Sequence, residues 1–434
     1  MKIFSFIGSM ARRYLLHSPR KLASMRKPTL FILFLIVFVD LVGFGIVLPL
    51  LPLYSEQLGA SGIMIGCIVA SYNLMQFFFA PWLGKLSDRI GRRPIILVST
   101  AGSAISYALF GYASGLSGTQ GLIMLLISRV LAGICGANLS VASAYVADIT
   151  PPEKRSSGVG MVIGMGFGLG FIFGPLIGGL SNHFIGPQAP GWVAAGICLF
   201  NFVTAFFILA ESRSKDAAPP VKRSQLAQWG HTLKQPKLGL LVLLVFLATI
   251  CFACFETTLP LLLVNDMQFE KTQLYYLMAY SGFIAAMVQG GAIRKLVHRF
   301  GEKPLILTSF FGLTLSFILI PMGSSLVAVL CSLAIYAFFS GINRPPLTGL
   351  ISIISPDNEQ GANLGVSQSA SAIGRIIGPP LATSLYFIKA PVPYWVCAGI
   401  SLVAGLIALV FLARLLADVQ GGKGGGSKTS PSSS

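Results

Sequence analysis

Five charged side chains interrupt runs of this chain that are otherwise apolar: Asp40, Arg129, Glu256, Arg344 and Arg375. A charge at the centre of a membrane-spanning helix costs at least ~2.5–3.5 kcal/mol on insertion scales, so each needs a partner or an aqueous cavity. Asp40 lies about 16 Å into its run at 1.5 Å per residue, near mid-bilayer. A carboxylate there can take up and release a proton as its surroundings change; the plainer reading is an acid hydrogen-bonded to a neighbouring helix. Glu256, in Phe255-Glu-Thr-Thr-Leu-Pro260, is a second candidate proton site or a counter-charge for a cationic substrate. It is otherwise an acid close enough to the surface to be wet. Arg129 cannot shed its charge. Paired with Asp40 it would hold that acid ionised until a proton or a substrate breaks the pair; a static salt bridge is the alternative. Arg375 is the analogous cation for Glu256. Arg344, just before Pro345-Pro346, lines a cavity or caps a helix break. Tyr72 and Gln76 stand four apart and share a helix face. With Asn73, Asn138, Tyr280 and Gln368 they complete the candidate substrate lining, although each can also serve only to join helices.

The elements that must carry these groups are membrane helices. The chain of 434 residues is 54% hydrophobic and 10% charged, against roughly 25% charged in soluble domains. Twelve runs approach the ~20 apolar residues that a bilayer requires: 30–53, 62–83, 94–115, 119–147, 157–182, 191–210, 238–264, 272–293, 304–322, 325–354, 361–387 and 391–416. The formal charge of +17 reports topology. With both termini inside, 26 of the 31 Lys and Arg fall on the cytoplasmic side, which is the positive-inside distribution. That excludes nucleic acid as the reason for the basicity and predicts an integral, multi-pass protein with cytoplasmic termini, expected in a bacterial inner membrane. The seven cysteines lie in the runs, and the four histidines lie outside the membrane core. Cys251-x-x-Cys254 lacks the second pair or histidine that a metal site needs, so no metal is expected.

The chain divides into a basic N-terminal segment (1–28), a six-span half (29–210), a linker (211–237), a second six-span half (238–416) and a Gly/Ser-rich tail (417–434) that reads as disordered. Residues 1–28 read as an interfacial anchor or a targeting segment. The halves echo each other. The charged loop Gly84-Lys-Leu-Ser-Asp-Arg-Ile-Gly-Arg-Arg-Pro94 returns as Leu296-Val-His-Arg-Phe-Gly-Glu-Lys-Pro304, with His298 and Glu302 where the first loop has Asp88 and Arg92. Gly174-Pro-Leu-Ile is answered by Gly378-Pro-Pro-Leu. Such duplication places the substrate site at the midplane between the halves. The dense glycines of span 5 permit close helix approach and, with Pro175, a bend.

Together these segments resemble the major facilitator superfamily, and within it the twelve-span drug:proton antiporter branch. Gly84, Asp88, Gly91 and Arg92 fit the superfamily's loop motif between spans 2 and 3. Arg129-Val-Leu-Ala-Gly133 is similar to the branch's span-4 arginine motif. Gly170-Phe-Ile-Phe-Gly174-Pro175-Leu-Ile-Gly178-Gly179 resembles its antiporter motif in span 5, and Asp40 to Pro52 resembles the first span of tetracycline efflux proteins. The resemblance implies an all-α membrane protein with 12 transmembrane helices in two six-helix halves, working as a monomer. It implies export of an amphipathic small molecule, cationic or zwitterionic, powered by the proton gradient without a bound cofactor. It also implies that Asp88, Arg92 and Asp148 form a latch, with Asp88 facing the start of span 11. Tetracycline carriers have a membrane Asp just before the residue matching Tyr107 and another matching Leu313; here Ser106 and Leu313 stand there, so tetracycline itself is not the expected substrate. Export of an endogenous metabolite or siderophore is the second reading, and proton-driven uptake a third. A membrane enzyme lacks a nucleophile or metal constellation in this sequence, and a non-transporting receptor has little need of charges at midplane depth.

Overall fold

In a lipid core each backbone N–H and C=O must be satisfied within its own segment, so the apolar runs have no choice but helix. The computed structural model describes residues 26–136, 138–151, 155–212, 225–356 and 359–424, and contains only helices and short connections among them. The readings of residues 1–25, 213–224 and 425–434 lie outside the described residues. Eleven helices among those described are long and apolar enough to cross a membrane: Leu30–Gln57, Gly62–Ile90, Arg92–Ala113, Gly118–Ile149, Gly160–Phe184, Ala189–Ile208, Pro236–Asp266, Lys271–Phe300, Glu302–Met322, Leu326–Ile354 and Val392–Val410. The expected eleventh span is present as the 27-residue helix Gln360–Tyr386 but is too polar to join that group. Its Ser, Gln and Asn residues are tolerated because it packs mainly against spans 2 and 7.

Two boundaries differ from expectation. The last helix continues to Gly424, past the predicted end at 416. Within the linker, Gln225–Lys234 is a helix. It docks on span 11 through Thr232 Oγ1, which donates to Asn363 Oδ1 at 2.7 Å, and through His231 and Glu359, 3.3 Å apart.

Irregular turns follow the prolines and glycines. Span 1 breaks between Val47 and Leu50, at Pro49. Span 7 widens to a π turn at Leu262–Asp266 just after Pro260, whose ring and missing N–H disturb the regular ladder. Span 5 begins with the π turn Gly160–Gly164, and span 8 contains another at Val288–Ala292.

The halves meet along spans 2 and 11 and along spans 5 and 8. At the end away from the basic loops this seam is shut. Pro380 sits where a side chain on Gly66 would stand, Tyr275 occupies the same place at Gly179, and Asn265 donates across the halves to Glu56 at 2.7 Å. The basic end is different. Gly84 lies five full turns from Gly66 on the same face of span 2, and Gly365 five turns before Thr383 in span 11. Both have open space beside them. So do Gly160, Gly164, Gly290 and Gly291. The same faces that touch at one end have parted at the other, and the molecule opens towards its basic end.

Candidate functional site

A central cavity of ≈ 30 Å³ lies where the seam closes. Span 1 contributes Phe44, Leu48 and Leu51, which flank and include its break. Span 2 adds Val69, Tyr72 and Asn73, span 4 Arg129 and span 5 Phe171. From the other half come Phe252, Ala253, Glu256 and Thr257 of span 7 with Arg375 and Pro379 of span 11. Sites that hold drug-sized molecules enclose about 300–1,000 Å³. The space at this point of the seam is smaller than a drug-sized cargo needs.

Tyr72, Asn73, Arg129, Glu256 and Arg375, predicted from sequence, converge on this cavity. Its charged members are poorly partnered. Arg129 is 2% exposed. Its Nε donates to Ser128 Oγ at 3.3 Å, and its guanidinium lies 5.6 Å from the Tyr107 ring centre and 5.2 Å from that of Phe110. Its Nη2 has no hydrogen-bond partner, and neither do Glu256 Oε1 and Arg375 Nε. Glu256 and Arg375 act on each other electrostatically without a hydrogen bond, and Arg375 rests 6.0 Å from the Phe252 ring centre.

The expected Arg129–Asp40 pair is not formed, because no ion pair among the described residues includes Arg129. Asp40 lies one turn towards the basic end from Phe44, with its Oδ1 4.0 Å from Cys198 Sγ of span 6. It shares an electrostatic neighbour, Tyr72, with Arg129 and Arg375. Gln76 ties spans 2 and 4 by donating to the Gly136 carbonyl at 3.0 Å. Arg344 donates to Gln368 at 3.0 Å across spans 10 and 11; both are exposed, towards the open end. Tyr280 is half-buried and outside the cavity wall, and the Asn138 side chain falls outside the described residues. Sequence reasoning missed Phe44, Phe171 and Phe252; the four-residue step from Asp40 to Phe44 was the available signal.

At the basic end, Arg92 is buried and fully engaged. Its Nη1 meets Asp88 at 2.6 Å and Ser87 Oγ at 2.6 Å, and its Nε meets Asp148 at 3.0 Å. Asp88 bonds Arg92 of its own half, and no ion pair among the described residues joins it to span 11. An unpredicted residue completes this cluster. The Glu211 carboxylate, at the exit of span 6, accepts the backbone N–H groups of Arg92 at 2.8 Å and Arg93 at 3.1 Å. It thereby caps span 3, an anion at a helix N-terminus. Gly91 makes the preceding turn at φ +104°, a conformation that side chains rarely adopt.

The span-5 motif serves two contacts. Gly170, Gly174 and Gly178, four apart, admit the backbone of span 1 at Leu41, Gly45 and Ile46, within the first half; only Gly179 faces the second half. Pro175 sits inside the helix between them. The close cysteine pair bonds to backbone, Cys251 to the Cys397 carbonyl at 3.6 Å and Cys254 to that of Gly378 at 3.3 Å.

Two sets of six helices meet around a central cavity, the arrangement of a membrane carrier. The sequence matches the Major Facilitator Superfamily over residues 33–352 and 293–433, and the chain belongs to that superfamily; it is a membrane transporter and not an enzyme. It is 30% identical over 397 residues to the class B tetracycline resistance protein of Escherichia coli, covering 89% of this chain and 96% of that one. It is 30% identical over 392 residues to multidrug resistance protein 2 of Bacillus subtilis (strain 168), covering 87% and 94%. Among solved structures, the human organic anion transporter MFSD10 superposes with a TM-score of 0.68 at 26% identity, covering 89% of this chain and all of that one.

Proposed function

We propose that this transporter exports an amphipathic small molecule in exchange for protons, and that cargo and proton compete at Glu256. The observation that carries this reading is Glu256 itself: an acid in the wall of the closed cavity with one oxygen buried and unpartnered. The efflux proteins among its relatives support export. The positive charge of the open end supports a cytoplasmic orientation for that end, and the bacterial efflux proteins among its relatives support a bacterial inner membrane as the setting.

On this reading the present state takes cargo from the cytoplasm. Closure brings the Gly84 and Gly365 faces together. Opening outside then parts Gly66 from Pro380 and breaks the Glu56–Asn265 hydrogen bond. A proton arriving from outside neutralises Glu256, releases the cargo's donor group and returns with the empty carrier. The membrane potential contributes about 2.3 kcal/mol per charge per 100 mV. Asp40, beside Tyr72 on the cytoplasmic side of the cavity, is the onward acid for that proton. A monomer suffices on this reading, since residues of one chain line the cavity.

The test is flux in proteoliposomes under an imposed pH gradient. Glu256→Gln should abolish gradient-driven accumulation and make cargo binding independent of pH. Asp40→Asn should slow proton-coupled turnover. Gradient-driven accumulation unchanged in Glu256→Gln would remove that residue from the coupling role.

A further inference from the structure

Arg129 poses an energetic problem that the exchange of protons at Glu256 does not address. Its charge is 98% removed from solvent, no acid forms an ion pair with it among the described residues, and its Nη2 has no hydrogen-bond partner among them. The two rings beside it supply about 0.5–2 kcal/mol each at best. Even a central charge on the mildest scale costs ~2.5–3.5 kcal/mol, and rings leave the orphaned N–H donors of Nη2 unsatisfied. Arg129 stands in the wall of the cavity that the halves enclose. On the facing wall stand the other two orphaned atoms, Glu256 Oε1 and Arg375 Nε, in an acid–guanidinium neighbourhood that is already electrically balanced. Arg129 is thus the wall cation of the first half that forms no ion pair among the described residues. The rest of the lining is aromatic and aliphatic apart from the uncharged polar Asn73 and Thr257 and the Tyr72 hydroxyl.

We propose that Arg129 receives an acidic group of the cargo, so that the exported compound is an amphipathic zwitterion, its carboxylate or other oxyanion on Arg129 and its ammonium or N–H end on Glu256. The proposal rests on the export reading above and names its substrate class. Such a molecule spans the two halves, satisfies the orphaned donor and the orphaned acceptor at once, and draws the cavity shut around itself. A lipophilic cation without an acid leaves Arg129 unpaired and adds a like charge to a cavity that already holds two guanidiniums. Charge-assisted pairing to a guanidinium is among the strong hydrogen bonds, so the acid should govern selectivity.

The experiment uses the full chain in proteoliposomes, with a zwitterionic rhodamine dye bearing a free carboxylate and the methyl ester of the same dye, which is purely cationic. Binding is read by fluorescence polarisation and transport by gradient-driven accumulation. The free acid should bind at least about tenfold more tightly than the ester. Arg129→Gln should bring that ratio to about one while the ester's affinity holds or improves, and Arg129→Lys should keep most of the preference. Equal affinities in the wild type, or a preference for the ester, would overturn the proposal. Transport of the ester in exchange for protons, with none of the free acid, sinks the Arg129 assignment and leaves the export reading standing. If neither dye moves or binds, both readings fall.

Discussion

Arg92 and Arg129 are both buried arginines in the same half, and they are treated in opposite ways. Arg92 has two carboxylates and a hydroxyl within 3.0 Å, braced by Glu211 and by Ser212, whose hydroxyl donates to Asp148 at 3.2 Å. Arg129 has one long hydrogen bond and two rings. The first is a structural pin, finished by the chain that carries it. The second keeps an orphaned N–H arm among the described residues, and on the proposal above that arm receives the cargo's acid. The difference teaches that burial alone does not mark function in this carrier; the ledger of partners does.

Removing either arginine should separate the two roles. The largest effect is expected from Arg92→Ala, which strands Asp88 and Asp148 without their cation and should cost about 3 kcal/mol of stability. Thermal unfolding in detergent would detect it, and cargo affinity measured below the transition should survive. Glu211→Gln keeps the shape but loses the charge at the start of span 3, a cost of about 1 kcal/mol. It should lower the melting temperature less than Arg92→Ala and slow the closing of the basic end, seen as greater labelling of a cysteine introduced at Gly365. The smallest effect on stability should come from Arg129→Met. Exchanging an unpaired buried charge for an apolar side chain of similar length should leave the melting temperature unchanged or raise it. If Arg129→Met instead unfolds the protein as Arg92→Ala does, the contrast between the two arginines is wrong.

Much of this was legible in the sequence because bilayer physics leaves few options. Apolar length set the spans, Lys and Arg placement set the basic end, and each midspan charge announced itself by its cost. Glu256, Arg129 and Arg375 were found that way. Side-chain pairing was not legible: Arg129 and Asp40 looked complementary on a linear reading, yet Asp40 faces Cys198 of span 6. Helix position gives depth, whereas rotation and tilt arise only from packing. Glu211 was overlooked for a related reason. Its partners are backbone N–H groups some 120 residues earlier in the chain, which carry no signature in residue type. The closed and open ends could be recognised only in three dimensions, by comparing glycines five turns apart on one face.

The polar helix Gln360–Tyr386 also bears on how the protein is made. With so many Ser, Gln and Asn residues and a central arginine, this segment is a poor candidate for spontaneous partition from the insertion machinery into lipid. Its neighbours in the finished fold, spans 2 and 7, are synthesised earlier, and span 12 follows it. Biogenesis must therefore hold the segment in a protected site until the earlier helices can receive it. The step that completes the carrier's central seam is then also its most exposed moment to quality-control proteases in the membrane.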